Sequence, residues 1–298
     1  MTRAQVISLA IVAVLVACLG GSASAKPYAV GERSYTLVDR SRSTPPNGSY
    51  AGAPTRTLPT VVLYPARKGK PVERRHGFPL IVFSHGMGAT VPPYRSALDL
   101  WVRRGYVVVA PTFPLSSGTA PGGPSLADYR EQPADVSFVI SRVLRVTRRE
   151  GLARTIDRRS IGVAGHSLGA VTSLALVANG CCRDRRVDAA VAWAPVRLAF
   201  ARAWFAAPTR PLMVIHGTAD ATYAAGVGIY RDASRPKALV TLVNGPHIPS
   251  LPPWIDPLER STVDWFDRYL DHDRTAVRRL AKDANVPGAA QLRTAGVR

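Results

Sequence analysis

One short stretch, 165–169, carries the residue types that nucleophilic chemistry needs, since it reads Gly-His-Ser-Leu-Gly. The mostly apolar run 160–164 before it predicts a buried strand, and the small apolar residues 170–178 after it predict a helix. A serine at such a tight strand-to-helix turn is held above the sheet with its hydroxyl exposed. Ser167 is therefore the candidate nucleophile.

A serine hydroxyl is a weak nucleophile at neutral pH and needs an adjacent base. The chain has six histidines. Five of them lie in strand-end turns or outside the predicted core: His76, His85, His166, His216 and His272. His247 follows the last predicted strand of that core and is the candidate base.

An acid must hold the imidazole in the correct tautomer. Asp220 lies between Ser167 and His247 in the chain, just past a predicted strand end, and is the candidate. Asp184 and Asp188 are the weaker alternatives. Two backbone amides could stabilise a developing oxyanion. These are the amides of Leu168, at the start of the helix, and of Met87, in the loop after an earlier strand.

The elements that must position these residues alternate between strands and helices. Strands are predicted at 35–38, 58–64, 78–84, 106–110, 160–166, 187–193, 211–216 and 238–243, and helices at 94–103, 126–146, 170–178 and 257–270. Pro133 could kink the second helix or start it anew. This alternation predicts an α/β protein with a mostly parallel central sheet and helices on both faces. In such sheets, sites gather at the carboxyl ends of the strands. Chemistry-bearing turns at 85–88, 165–169, 216–220 and 244–247 all follow predicted strands.

Together these residues resemble the α/β-hydrolase superfamily. The likeness rests on Phe83–Gly88, on the 165–169 turn, on His216–Asp220 and on His247, in the chain order serine, acid, histidine. More narrowly, the chain is similar to the platelet-activating-factor acetylhydrolase, chlorophyllase and dienelactone-hydrolase-like group, and secreted bacterial cutinases and polyester hydrolases are neighbours. The resemblance runs from about residue 58 to 270. It implies an α/β-hydrolase fold and a serine esterase that needs no cofactor and no metal.

The chain departs from this pattern in places. Dienelactone hydrolases proper use a cysteine where this chain has Ser167, which disfavours their reaction. Asp220 is followed by Ala-Thr-Tyr at 221–223, and His247 by Ile-Pro at 248–249. Neither change removes a member of the candidate triad, but both could reshape the pocket.

The connection 194–210 is too short for a large cap domain, so an open cleft is expected. The side chains expected to line it are Met87, Leu168, Trp193 and Tyr223, with His85 as a further candidate substrate contact. Trp193 could instead be a core tryptophan. The loop 111–124 opens at the same edge.

The two ends of the chain have separate predictions. Residues 1–25 have a basic start, an apolar core and an Ala-Ser-Ala ending, which predicts a signal peptide cleaved on secretion. Alternatively, 15–18 fits a lipobox, with Cys18 as the lipidated residue. The catalytic domain is expected at 26–270 and a basic C-terminal tail at 271–298.

The formal net charge of +19 comes with scattered arginines rather than an aromatic-interleaved basic stripe. No nucleic-acid partner is therefore expected, contact with an anionic membrane surface stays open, and a monomer is expected. Cys181 and Cys182 are adjacent, and either a vicinal disulfide or two free thiols would fit. No metal-ligand spacing is present in the sequence.

The sequence therefore predicts a secreted serine hydrolase that cleaves carboxylic esters through an acyl-enzyme. Its substrate could be a small-molecule, lipid or polymeric ester. The alternatives are a lipase or cutinase, a phospholipid acetylhydrolase, a peptidase, and a catalytically silent binding protein at the cell surface.

Overall fold

A central sheet of ten strands organises the computed structural model, which describes residues 27–248 and 250–298. The strands are Ala29–Asp39 (β1), Arg56–Arg67 (β2), Lys70–Pro71 (β3), Phe78–Ser84 (β4), Val107–Pro111 (β5), Ile156–His166 (β6), Val187–Trp193 (β7), Leu212–Gly217 (β8), Lys237–Leu242 (β9) and Ala290–Ala295 (β10). The helices are Arg95–Arg103 (α1), Gln132–Arg149 (α2), Leu168–Ala178 (α3), Tyr223–Asp232 (α4), Ile255–Tyr269 (α5) and Ala276–Asp283 (α6).

The strand order is β1-β2-β5-β4-β6-β7-β8-β9-β10, with β3 paired to β2. The strands from β5 to β9 in this order are parallel. The pairs β1-β2, β2-β3, β2-β5 and β9-β10 are antiparallel. The prediction of an α/β protein with a mostly parallel central sheet is thus confirmed, and the antiparallel flanks make the whole sheet mixed.

Strand residues alternate between two hydrophobic layers, one on each face of the sheet. In β4, Leu80 and Val82 belong to one layer, whereas Ile81 and Phe83 belong to the other. Apolar residues of α2, α3 and α4 complete the first layer, and those of α1, α5 and α6 complete the second. Covering both faces explains why the central strands are almost continuously apolar.

Two helices before residue 271 differ from the sequence prediction. The helix expected over 126–146 is split into a 3-10 turn at Leu126–Arg130 and α2, which has Pro133 in its first turn. Pro is tolerated there because its missing N–H has no helical partner. Helix α4 is absent from the prediction because it contains Gly226 and Gly228, which are weak helix formers. Tertiary packing on β8 stabilises it.

Residues 271–298 do not form the expected tail. They fold into α6 and β10, and β10 extends the sheet beyond β9. Although α6 is rich in basic residues, one side of the helix is apolar and buried, and it includes Leu280. Arg279 donates to Asp264 and Asp267 of α5 at 3.1 and 2.6 Å, so part of the positive charge is neutralised inside the fold.

Asp264 makes this docking pH-dependent. Burial raises the pKa of Asp264 to about 7, although Arg279 opposes that rise. Its folded pKa is above the unfolded value of about 4, so the folded chain binds the extra proton and stability falls as the pH rises from about 4 to 7. We expect Asp264→Asn to gain stability relative to the wild type between about pH 5 and 8, by at most about 1.4 kcal/mol per pH unit.

Urea unfolding of both proteins at the two pH values measures this difference. The exposed Asp256 on the same helix supplies a control, Asp256→Asn. A difference for Asp264→Asn that stays constant with pH would contradict the prediction.

The predicted signal peptide at 1–25 and the alternative lipidation site Cys18 lie outside the described residues. Within 27–248 and 250–298, the structure contains no helix that is both long and apolar enough to cross a membrane.

Candidate active site

Ser167 connects β6 to α3 in a strained backbone conformation. Its φ of 53° and ψ of −115° are uncommon for a residue with a side chain. The glycines on either side make the turn sterically possible. A Cβ on Gly165 would come within 2.2 Å of the Gly169 carbonyl oxygen, and one on Gly169 within 2.0 Å of the Ser84 carbonyl oxygen. The turn is thereby pressed against the end of β4, with Ser167 at its apex.

Three predicted residues meet above the carboxyl ends of β6, β8 and β9. The Ser167 hydroxyl lies 2.9 Å from His247 Nε2, in position to donate to it. His247 Nδ1 lies 2.5 Å from Asp220 Oδ2. The structure therefore brings Ser167, His247 and Asp220 into one hydrogen-bonded row, in the arrangement that lets a histidine take a proton from a serine.

Asp220 is buried and receives more hydrogen bonds than the candidate triad requires. Its Oδ1 accepts from the amide and the hydroxyl of Thr222, each at 2.8 Å. Its Oδ2 accepts a second imidazole N–H, from His216 Nε2, also at 2.8 Å. Burial opposes ionisation, but the hydrogen bonds from His247, Thr222 and His216 outweigh it and hold the pKa of Asp220 well below its usual range. The carboxylate therefore stays ionised at neutral pH.

The sequence prediction missed the role of His216. Its spacing of four residues from Asp220, across the turn that ends β8, is the signal that could have indicated it. Gly226 of α4 makes room for this ring, because a Cβ there would lie 2.3 Å from His216 Nδ1.

The two alternative acids lie elsewhere. Asp184 accepts from Arg186, with Nε at 2.9 Å, and Asp188 accepts from the Ile161 amide at 3.1 Å. Among the hydrogen bonds of the described residues, neither carboxylate contacts a histidine. The geometry therefore favours Asp220.

A second hydrogen-bonded chain links the turn before Met87 to the loop that carries His247. The Gly86 amide donates to the Tyr94 hydroxyl at 3.1 Å, and that hydroxyl lies 2.9 Å from His166 Nδ1. His166 Nε2 lies 2.9 Å from the carbonyl oxygen of His247. Burial lowers the pKa of His166 to about 4, so the ring is neutral at pH 7. Its partners assign the N–H to Nε2, which donates to His247, and leave Nδ1 to accept from Tyr94.

Removing the Tyr94 hydroxyl tests this chain. Tyr94→Phe keeps the ring but takes the acceptor from Gly86 and the donor from His166, so both loops lose an anchor. We expect kcat of any turnover that depends on Ser167 to fall about tenfold with the fold retained, because small displacements of reacting groups are costly. Steady-state kinetics on a short ester measure the change.

Tyr35→Phe is the control, since the Tyr35 hydroxyl bonds Glu150 at the distant edge of the sheet. The proposed anchoring role fails if Tyr94→Phe keeps kcat within about twofold of the wild-type value.

The two predicted oxyanion donors have suitable surroundings. Leu168 is the first residue of α3, where the amides point out of the helix and favour negative charge. Within the described part of the chain, neither the Leu168 amide nor the Met87 amide donates to another backbone carbonyl in a turn or loop. The Gly88 amide donates to the Ser116 carbonyl at 2.8 Å and fixes the loop that carries Met87.

Two of the side chains that were expected to contact the substrate, those of His85 and Tyr223, are engaged in other contacts. His85 is only 1% exposed, and both of its ring nitrogens are used, by the Gly86 carbonyl at 2.8 Å and the Phe113 amide at 3.0 Å. It is therefore reassigned from substrate contact to a structural support of two loops. Tyr223 packs edge-on against His216, and its hydroxyl lies 3.0 Å from Thr241 Oγ1, behind the loop that carries Asp220.

Trp193 combines the two roles considered for it. It is buried, its indole N–H donates to Thr262 Oγ1 at 3.1 Å, and its carbonyl accepts the Ser167 amide at 2.9 Å. It also forms part of the wall of an apolar pocket of about 420 Å³, whose other walls include Met87, Ile248 and Leu258. This apolar pocket lies beside the Ser167–His247–Asp220 row, between the first turns of α1 and α5.

Cys181 and Cys182 are joined by a disulfide in the loop after α3, away from this pocket. Within 27–248 and 250–298, no group of three or more His, Cys, Asp or Glu residues is arranged to hold a metal ion. The connection from β7 to β8 contains no helix.

Comparison with protein-family models finds none that matches this chain, and a search of curated proteins finds no match either.

Proposed function

We propose that this protein is a serine hydrolase that cleaves carboxylic esters. One observation carries the proposal, the row in which Ser167 Oγ lies 2.9 Å from His247 Nε2 and His247 Nδ1 lies 2.5 Å from Asp220. The strained turn at Ser167 adds support, because backbone strain of this kind is found chiefly at functional sites. A purely structural role would need neither the strain nor an imidazole that is half-buried beside a serine hydroxyl.

The proposed reaction has two halves. Ser167 Oγ attacks the ester carbonyl while His247 Nε2 takes the hydroxyl proton, and Asp220 stabilises the imidazolium that forms. The amides of Met87 and Leu168 donate to the tetrahedral oxyanion. The intermediate collapses, the C–O bond to the alcohol breaks, and His247 returns its proton to the leaving alcohol. Water then attacks the acyl-enzyme with His247 again as base, and Ser167 and the carboxylic acid are released.

The pocket favours an ester with an apolar portion. Its lining is mainly apolar, and two of its wall residues, Met87 and Ile248, are 51% and 62% exposed. Leu251, in the same loop as Ile248, is 69% exposed. Exposed large apolar side chains around an entrance are typical of sites that meet an apolar partner. This observation keeps a lipase-like or cutinase-like action on long-chain or polymeric esters, or a phospholipid acetylhydrolase, as the alternative function.

Membership of the α/β-hydrolase superfamily is part of the same proposal. Its support is the parallel run from β5 to β9, with Ser167 after β6, Asp220 after β8 and His247 after β9. Secretion, a monomeric state and attraction of the basic chain to anionic membrane surfaces remain proposals from the sequence. The competing proposal of a silent binding protein shares the fold and predicts no turnover.

A series of p-nitrophenyl esters from acetyl to palmitoyl tests the function. Turnover with a short-chain optimum would support an esterase, and a long-chain optimum a lipase-like enzyme. Covalent labelling by a fluorophosphonate, read by intact mass, reports an activated serine independently of the ester chosen. A folded protein that neither hydrolyses any ester nor takes the label would overturn the proposal in favour of a binding role.

A further inference from the structure

A recess lined mainly by arginines, termed the arginine pocket, lies at the amino ends of β6 and β7. Its volume is about 790 Å³, and beside Ser141 and Leu144 all of its lining residues are arginines. These are Arg145, Arg148 and Arg149 of α2, Arg158 of β6 and Arg186, which directly precedes β7. All five arginines are exposed to solvent. Guanidinium groups from three separate elements therefore meet around one accessible recess.

The positive charge of the arginine pocket is not balanced within the described residues. No carboxylate lines the pocket, and of its arginines only Arg186 forms an ion pair there, with Asp184. Arg145 lies three and four residues before the two arginines that end α2, a spacing at which like charges on a helix repel each other. The negative end of the helix dipole favours those two arginines, but it does not account for Arg145 or Arg158.

The carboxylates next to this cluster in the sequence are engaged elsewhere. Glu150 accepts from the Tyr35 hydroxyl at 2.7 Å and pairs with Arg33. Asp157 accepts the backbone amide of Arg159 at 2.9 Å. A counter-charge for the pocket must therefore come from outside the described chain.

One wall of the arginine pocket is already fixed. Arg186 donates from Nη1 to Ser141 Oγ at 2.8 Å and from Nε to Asp184 Oδ1 at 2.9 Å. A side chain that is held in place before a ligand arrives loses less conformational entropy on binding.

We propose that the arginine pocket binds a compact anion that carries two or more linked phosphate groups. The planar guanidinium fork pairs with phosphate oxygens two at a time. The four arginines without an ion pair carry more charge than a single phosphate group, at about −2, can balance. A recess fits a compact anion better than it fits a flat bilayer, and its lining has no aromatic side chain on which a nucleic-acid base could stack.

This site is separate from the proposed reacting groups. Arg158 lies near the start of β6 and Ser167 just past its end, so at about 3.3 Å per residue they are up to about 30 Å apart. An anion in the arginine pocket therefore leaves the apolar pocket beside Ser167 open. The inference goes beyond ester hydrolysis and does not rest on it.

Titration calorimetry with inorganic tripolyphosphate at low ionic strength tests the proposal. We expect saturable binding to the wild type and much weaker binding of orthophosphate. Combining Arg145→Gln with Arg148→Gln should weaken tripolyphosphate binding by at least about tenfold, because two charge-assisted contacts are lost. Tripolyphosphate should also raise the melting temperature of the wild type, and by less that of this double variant.

A matched control removes the same amount of charge elsewhere. Arg274 and Arg278 are exposed at α6, which packs on the opposite face of the sheet from α2. Combining Arg274→Gln with Arg278→Gln should leave tripolyphosphate binding within about twofold of the wild type, apart from long-range screening by salt. Equal weakening in both double variants would reduce the effect to net charge and overturn the proposal, as would a folded wild type that shows no saturable binding. Hydrolysis of p-nitrophenyl acetate is measured separately in all of these proteins, so a failure of the esterase proposal would not be mistaken for a failure of this one.

Vesicles distinguish a soluble ligand from a lipid-borne one. Binding to phosphatidylcholine vesicles that contain phosphatidylinositol bisphosphate, displaced by free tripolyphosphate, would mean that a lipid headgroup supplies the phosphates. Binding of tripolyphosphate without vesicle binding would mean a soluble source, and both results support the site. Binding to phosphatidylglycerol vesicles by a protein that does not bind free tripolyphosphate would indicate a flat anionic membrane instead and would overturn it.

Discussion

Replacing Ser167 by alanine is expected to lower kcat for ester hydrolysis by about 10⁴- to 10⁶-fold. The residual rate would come from substrate binding and the oxyanion donors alone. The substitution removes the one oxygen that lies 2.9 Å from His247 Nε2 and leaves no other group in position to form an acyl-enzyme. Alanine must adopt the same strained φ of 53°, so the backbone cost of the turn is unchanged. Burst and steady-state kinetics on p-nitrophenyl acetate measure the loss.

Ser173 provides a matched control on the same helix. It is buried, and its hydroxyl bonds the Gly169 carbonyl at 3.1 Å without reaching His247. Ser173→Ala should therefore keep kcat within a few-fold of the wild type, and circular dichroism melting should show that both variants are folded. A folded Ser167→Ala protein that still turns over esters would mean that the nucleophile has been misassigned.

Replacing Asp220 by asparagine is expected to lower kcat by about 10³- to 10⁴-fold at neutral pH. An amide of the same shape cannot accept from His247 Nδ1, from His216 Nε2 and from Thr222 all at once, because half of its polar surface donates. The imidazole would lose its fixed tautomer, and the imidazolium of the transition state would lose its counter-charge. The ester kinetics of the variant measure this loss.

The same variant should show a pH signature in its stability. The folded pKa of Asp220 is below its unfolded value, so its ionised form contributes stability above about pH 4, and that contribution disappears as the pH falls further. The wild type should therefore melt higher than Asp220→Asn at pH 7, and the two should converge in acid.

Asp184→Asn is the control for this experiment, since Asp184 was the competing acid and bonds Arg186 instead. It should retain nearly full activity. If Asp184→Asn loses activity and Asp220→Asn does not, the assignment of the acid is reversed.

Much of the candidate site is readable from the sequence because each part is local. The Gly-His-Ser-Leu-Gly turn needs only its own glycines and the flanking apolar runs to identify Ser167. Asp220 and His247 each follow a recognisable strand, and parallel strands bring their carboxyl ends to one edge of a sheet. The same logic predicts the α/β layers, since runs of apolar residues reveal strands that are covered on both faces.

The remaining features depend on contacts between distant parts of the chain. His166 meets Tyr94 across 72 positions of sequence. Leu258 lines the apolar pocket because α5 packs beside Trp193 and α1. No local pattern encodes such contacts, since they arise when separate elements are packed together.

The C-terminal segment shows the same division most clearly. Its charges alone predict a basic tail, yet α6 is docked by the pairing of Arg279 with Asp264 and Asp267 and by the burial of Leu280. β10 then pairs with β9 in an antiparallel arrangement. The sequence by itself determined which residues can do chemistry, because that depends on residue type and local backbone. Only the tertiary structure decided which side chains form hydrogen bonds with these reactive residues and which pack around them, because burial and pairing are properties of the packed chain.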